Sequence, residues 1–191
     1  MRRFLALLTL ICIVFLCGCS GYREIDRGYL VTAVGICKND DNVQIYLEAQ
    51  SSASTSKNIE RSILTGSGTT TAAAFEDMKF QLVKPLYFEQ VGTAVFQGTP
   101  SHADLLFLTD TLKIHYGTFL VQCNDVEKLF HFDSPGKILG YDIIGLIKNF
   151  EKETNTDTRS RIFEILKFNI PLSKIDVTNN RLTLISGGDH G

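Results

Sequence analysis

The amino-acid sequence predicts an α+β fold: a mixed β-sheet with helices packed against it and a β-hairpin at its start. Three observations carry that expectation. Residues 29–36 are apolar and β-rich, and residues 43–50 alternate with Val43, Ile45, Leu47 and Ala49 on one face, the two runs being separated by a polar turn at 38–42. Helical and extended patterns then alternate along the chain. A second pair of strand-like runs, 170–177 and 181–185, flanks Thr178-Asn179-Asn180 near the end. Alternation of this kind favours one sheet covered by helices.

Each element has a local cause. The first run reads as a buried strand and the second as its hairpin partner. Residues 61–64 read as a short edge strand after a Ser/Thr-rich loop. Gly66-Ser67-Gly68-Thr69 opens a helix in which Ala74, Phe75, Met78 and Leu82 share a face. Thr69 or Ser67 is expected to cap that helix and Pro85 to stop it. Residues 86–88 and 91–96 are extended. Thr99-Pro100 starts the next helix, with Pro in the first helical position and Leu105, Leu108 and Leu112 as its buried stripe. Residues 118–123 form a strand, 125–130 a short helix, and Ser134-Pro135-Gly136 a loop. Residues 139–150 carry the cleanest amphipathic pattern, with Ile143, Leu146, Ile147 and Phe150 at helical spacing. A polar linker at 151–157 precedes residues 159–168, which fit a helix or a strand and favour the helix because Ile162, Ile165 and Leu166 share a face and Thr158 can cap it, and 187–191 form a loose tail.

The N-terminus has a separate character. Arg2 and Arg3 precede a run of thirteen residues, 4–16, that is apolar apart from Thr9. A bilayer-spanning helix needs roughly 20 apolar residues, whereas the core of a secretory signal has about 7–15. Leu16-Cys17-Gly18-Cys19 follows and resembles a lipobox: a branched apolar residue, two small ones, then Cys. Small residues fit the narrow cleft of a signal peptidase, and the thiol of Cys19 is the one side chain that takes a thioether-linked diacylglycerol. The expected organisation is therefore a lipoprotein signal peptide over 1–18, a lipidated lead-in over 19–28 and an α/β domain over 29–191, held to a bilayer through acylated Cys19. Removing Arg2 and Arg3 takes the formal charge from −2 to about −4. A body of that charge without a basic patch argues against nucleic-acid binding and predicts no attraction of its own to anionic lipid.

Few constellations suggest chemistry. Cys12 and Cys17 leave with the signal, and Cys37 and Cys123 either form one disulfide or stand as small buried thiols. Gly66-Ser67-Gly68-Thr69-Thr70 lacks the Lys of a phosphate-binding loop and the third Gly of a dinucleotide fingerprint, so it reads as a flexible turn into a helix. His102 and Asp104 are two apart, which points them to different helix faces, and His115, His131 and His190 stand alone. Glu24, Asp26 and Arg27 read as a solvated lead-in. No nucleophile, base and orienting group come together, so neither an enzyme, a metal nor a cofactor is expected. A membrane-anchored interaction module fits best, with a small-molecule-binding surface lipoprotein, such as a transporter's solute receptor, as the alternative.

Several segments also resemble the Ger(x)C family, the C-subunit lipoproteins of spore germinant receptors. They are the lipobox, Tyr22-Arg23-Glu24-Ile25-Asp26, the strand over 30–36, the glycine turn at 66–70 with Phe75-Glu76, and above all Lys84-Pro85-Leu86-Tyr87-Phe88-Glu89-Gln90. The chain departs from that pattern at Ser20-Gly21, where an aromatic-acidic pair is usual, at Cys37 in place of an acidic residue, and at Gln90 in place of His. The family is about twice as long, so the chain is expected to be an N-terminal-domain-only member, a decayed paralogue or a truncated gene product. The resemblance implies a lipid-anchored subunit on the outer face of the cell membrane or spore inner membrane. It would assemble there with two membrane receptor subunits and carry out no catalysis of its own.

Overall fold

A computed structural model describes residues 28–39, 41–51, 61–155, 161–168 and 172–185. Its strands are β1 (Tyr29–Asn39), β2 (Asn42–Ser51), β3 (Arg61–Gly68), β4 (Leu86–Tyr87), β5 (Thr93–Phe96), β6 (Phe119–Cys123), β7 (Ser173–Thr178) and β8 (Arg181–Ile185). Its helices are α1 (Thr71–Phe80), α2 (His102–Leu106), α3 (Val126–Phe130), α4 (Leu139–Thr154) and α5 (Ile162–Phe168). The strands form one mixed sheet in the order β3-β2-β1-β5-β6-β7-β8, with β4 also paired to β1. Neighbours β1, β5, β6 and β7 run parallel, and β2, β3 and β8 add antiparallel margins. This is the α+β mixed sheet the patterning predicts.

Helices cover both faces, which explains why strands in the middle of the sheet are apolar on both sides. On one face α1, α2 and α5 bury Phe75, Met78, Leu105 and Ile162 against Val31, Val34, Ile36 and Ile45. On the other, α3 and α4 bury Val126, Phe130, Leu139, Ile143 and Ile147 against Ala33, Tyr46, Val95 and Val121. The β1–β2 register skips from Val31↔Ala49 to Ala33↔Glu48, leaving Thr32 as a β-bulge. That extra residue turns Val31 towards the first core and Ala33 towards the second.

The first hairpin, β6, the short helix α3 and the terminal hairpin form where their patterns place them. Asn179 and Asn180 both adopt positive φ, 50° and 56°, as a two-residue turn between twisted strands requires. Leu105, Leu108 and Leu112 are all buried. Four local expectations need correction. The Gly66–Gly68 stretch belongs to β3, which runs on to Gly68, and α1 is capped by Thr70, whose hydroxyl accepts from Ala73 N–H at 3.1 Å. Glycine serves close packing there: a Cβ on Gly66 would overlap the Ala74 carbonyl oxygen and lie 2.7 Å from Met78 Cβ. Helix α1 ends at Phe80, before Leu82 and Pro85. Pro100 precedes the helix and Ser101 caps it. Ser101 and Asp104 form a reciprocal capping box, after which Phe107–Thr111 widens into a π-helical turn. Helix α4 continues through the expected linker to Thr154 and stops on Asn155 in the left-handed region. The expected Thr158 cap lies outside the described residues.

Candidate functional site

The expected lipobox residues Leu16, Cys17 and Gly18, the expected acylation site Cys19 and the charged lead-in around Glu24 lie outside the described residues. The described residues begin at Gly28, and the surface there is built by the Lys84–Gln90 segment. Tyr29 N–H donates to Pro85 O at 2.9 Å, and Tyr29 and Leu30 pair in parallel with Leu86 and Tyr87. The Tyr87 ring lies against Gly28, leaving no room for a Cβ. Lys84 Nζ sits 5.6 Å from the centre of the Tyr29 ring. Phe88 packs edge-on to Phe75 at 5.9 Å, and Phe75 in turn to Phe107 at 5.7 Å. Gln90 accepts a hydrogen bond from Tyr141 Oη at 3.2 Å. The Leu-Tyr-Phe run therefore clamps the start of β1 to α1 and to the π-helical turn. A cleft of about 460 Å³ runs beside it, lined by Pro85 to Glu89 together with Leu112 and Lys113.

A second cleft, of about 390 Å³, is polar and lies between the β2–β3 margin and the ends of α1 and α3. Tyr46 contributes its hydroxyl, which donates to Gln44 Oε1 at 3.0 Å; burial, then the nearby Glu127 carboxylate, pushes its pKa up to about 12. His131 is exposed, and its Nδ1 lies 2.9 Å from Glu127 O. His115 is exposed and accepts from Gly117 N–H, and His102 is exposed at the start of α2. Among the described residues no three His, Cys, Asp or Glu groups are placed to hold a metal ion, and no helix is long and apolar enough to cross a membrane.

The carboxyl ends of parallel strands are where open α/β sheets bind ligands. Here that end is occupied by the chain's own polar contacts. Asp104, 2% exposed, accepts from Lys38 Nζ at 2.6 Å, Ser101 Oγ at 2.6 Å and Thr71 Oγ1 at 2.9 Å. Burial opposes its ionisation, but the hydrogen bonds from Lys38, Ser101 and Thr71 outweigh burial and hold the carboxyl below its ordinary pKa. Cys37 Sγ contacts Gln97 Oε1 at 2.7 Å, and Cys123 Sγ contacts Asp125 O at 3.3 Å. Both cysteines are free and buried, so the thiol reading holds over the disulfide. Burial raises the pKa of each.

A second densely bonded carboxylate is that of Glu48, on the side of β2 opposite the alternating Val43, Ile45, Leu47 and Ala49. It is fully buried. Its carboxylate accepts from Thr32 Oγ1 at 2.7 Å, Arg61 Nε at 2.7 Å, Leu139 N at 2.7 Å and Gly140 N at 3.0 Å. Helix α4 starts on Ile138, which has no side chain able to cap it, and Glu48 supplies the missing acceptor and a negative charge at the helix's positive end. Arg61 goes on to donate to Phe130 O at 2.6 Å and Phe132 O at 2.8 Å. Gly140 permits the approach, since a Cβ there would lie 2.5 Å from Thr32 O. Among the described residues no buried side-chain nitrogen or oxygen lacks a partner, so the network acts as a rigid strut between β1, β2, β3 and α4.

Compared with known proteins, residues 21–168 match the family model described as spore germination protein N-terminal domain. The matched span runs from the lead-in through α5 and includes the Lys84–Gln90 clamp. No curated protein and no solved structure matches the chain.

Proposed function

We infer the function from one premise: this chain belongs to the spore germination protein N-terminal domain family, and its role lies in spore germination. We propose that it serves there as a membrane-anchored lipoprotein subunit of a nutrient-germinant receptor, tethered through acylated Cys19 and acting by protein–protein contact with the receptor's membrane subunits. The observation that carries this reading is the extent of the match, residues 21–168, which takes in nearly all of the folded body. The lipobox at 16–19 supports the anchor. The site of action on this reading is the outer face of the cell membrane or the spore inner membrane.

The anchor and the partnership are tested separately. Cys19→Ala should abolish incorporation of labelled palmitate, and undiminished labelling would reject the anchor. Affinity capture of the full chain from dormant spore membranes should recover multi-spanning receptor subunits. Recovery of none, from spores in which the chain is abundant and folded, would reject the subunit role. The rival small-molecule-binding role predicts capture of a permease with an ATPase instead.

A further inference from the structure

The sheet ends on β8, and among the described residues no strand lies beyond it. Its pairing with β7 fixes which way its backbone points. Asn179 and Asn180 make a two-residue turn, so Thr178 and Arg181 form a pair that exchanges both backbone hydrogen bonds. Bonded and non-bonded pairs alternate along an antiparallel ladder. Asp176↔Thr183 and Lys174↔Ile185 are therefore bonded, whereas Val177↔Leu182 and Ile175↔Leu184 are not. Val177 agrees with this phase: its carbonyl accepts from Lys128 Nζ at 3.1 Å, and its N–H donates to the Asp176 carboxylate at 2.7 Å. The N–H and C=O groups of Leu182 and Leu184 thus point away from β7, out of the margin of the sheet.

Strand edges left to water are ordinarily blunted by Pro, a bulge or an inward-pointing charge. β8 has none of these, and its pairing with β7 runs without a break. Its one charge is Arg181, beside the turn. Leu182 and Leu184 pack against the second core yet stay only partly buried, and Ile185 is 51% exposed. The opposite margin, β3, shows no large exposed apolar side chain.

The strand is also complementary to itself. Two copies placed antiparallel about a two-fold axis at Thr183 set Leu182 of each opposite Leu184 of the other. Both are outward-pointing residues, so each such pair exchanges two bonds and all four outward groups of each copy are satisfied. A shift of one residue would set outward groups against inward ones. A shift of two would move a pair into the Asn179-Asn180 turn or past Ile185. In the centred register Leu182 and Leu184 extend one apolar stripe across the joined margin. On the other side Thr183 meets its own copy, and the methylene stem of Arg181 covers the exposed Ile185 across from it.

We propose that the outer edge of β8 pairs with the same edge of a second copy of this chain, joining two sheets into one through an isologous contact. The proposal goes beyond the receptor-subunit reading and does not depend on it. The two chains enter at opposite ends of the joined sheet, so anchored copies pair with that sheet lying along the bilayer.

The test uses the full chain purified in detergent. Its mass is measured by light scattering across a dilution series, and cysteine variants are oxidised with copper phenanthroline. The chain should form a dimer that dissociates on dilution. Thr183→Cys should give a disulfide-linked dimer, because residues on the axis face each other as a non-bonded pair with Cα atoms about 4.5 Å apart. Arg181→Cys, also on an exposed position, should not, since its two copies lie four residues apart along the strands, about 14 Å. Ile185→Lys sets a second cation against Arg181 and should weaken the dimer by roughly 2- to 30-fold, the two symmetric pairs acting together, whereas Ile185→Glu should keep or tighten it. Melting curves of both should match that of the parent. A monomer at every concentration, or equal cross-linking at positions 181 and 183, would overturn the proposal. Loss of captured membrane subunits with Ile185→Lys, in a chain that stays monomeric, would assign the edge to another protein and overturn it too.

Discussion

Replacing Glu48 with alanine should be among the most damaging single changes in this protein. The carboxylate is fully buried and serves four donors at once: the Thr32 hydroxyl, the Arg61 guanidinium and the first two N–H groups of α4. Its removal leaves a guanidinium whose side chain is only 19% exposed without its counter-charge, and two helix N–H groups without an acceptor. Breaking a buried pair by removing one partner costs about 3–5 kcal/mol, most of it from the charge left behind. Arg61 keeps its two carbonyl acceptors, Phe130 O and Phe132 O, so the cost stays inside that range. For a body of this size the melting temperature should fall by roughly 6–20 °C. Glu48→Gln preserves shape and one acceptor and should cost less. Removing both partners, Glu48→Ala with Arg61→Ala, should cost clearly less than the two single losses added together. Thermal and urea unfolding followed by circular dichroism measure all three variants. A Glu48→Ala loss below about 1 kcal/mol, or strict additivity with Arg61→Ala, would refute the strut.

Three further outcomes follow from the same geometry. Asp104 has its pKa lowered in the fold, so its contribution to stability is complete above the unfolded value and is lost as pH falls through the folded one. Acid titration should therefore show a loss below about pH 4 that Asp104→Asn flattens, read by urea midpoints across pH. Cys37 and Cys123 are buried with raised pKa, so at mildly alkaline pH a thiol reagent should modify them far more slowly in the native chain than in urea, as timed by absorbance. Phe88 is half-buried, so Phe88→Ala should cost about 2 kcal/mol, less than a fully buried ring, and an unchanged denaturation midpoint would reject its place in the clamp.

Elements whose cause is local were legible in the sequence. The first hairpin, the stripe of Leu105, Leu108 and Leu112, and the Asn179-Asn180 turn each depend on residues within a few positions of one another. The Lys84–Gln90 clamp was visible as a resemblance, though its pairing with Tyr29 was not. Features whose cause is distant were missed. Glu48 sits on a strand that alternates as if half-exposed, and nothing nearby announces that α4, 91 residues away, covers it. An uncapped helix start at Ile138 followed by Gly140 was the available signal: such a start needs an acceptor from elsewhere. The glycines at 66–68 read as a turn in the sequence because glycine marks both turns and close backbone approach, and only the packing of α1 separates the two. Phe80 lies off the apolar face of α1 formed by Ala74, Phe75 and Met78, and its exposure depends on where α1 stops relative to the sheet.

The bulge at Thr32 has a consequence for how this domain tolerates insertions and deletions. Alternation along β1 is out of step across that residue, as if the strand carried a one-residue phase shifter. Deleting Thr32 would close the ladder without moving a side chain from one layer to the other, because Val31 and Ala33 already face opposite cores and pair with the consecutive residues Ala49 and Glu48. It would remove the Thr32 hydroxyl that donates to Glu48 and the carbonyl that accepts from Gly92 N–H. A one-residue insertion or deletion elsewhere in β1 would instead exchange the layer that every residue on its N-terminal side faces. The one irregular position of the central strand is thus the place where its length can change while each side chain keeps its side.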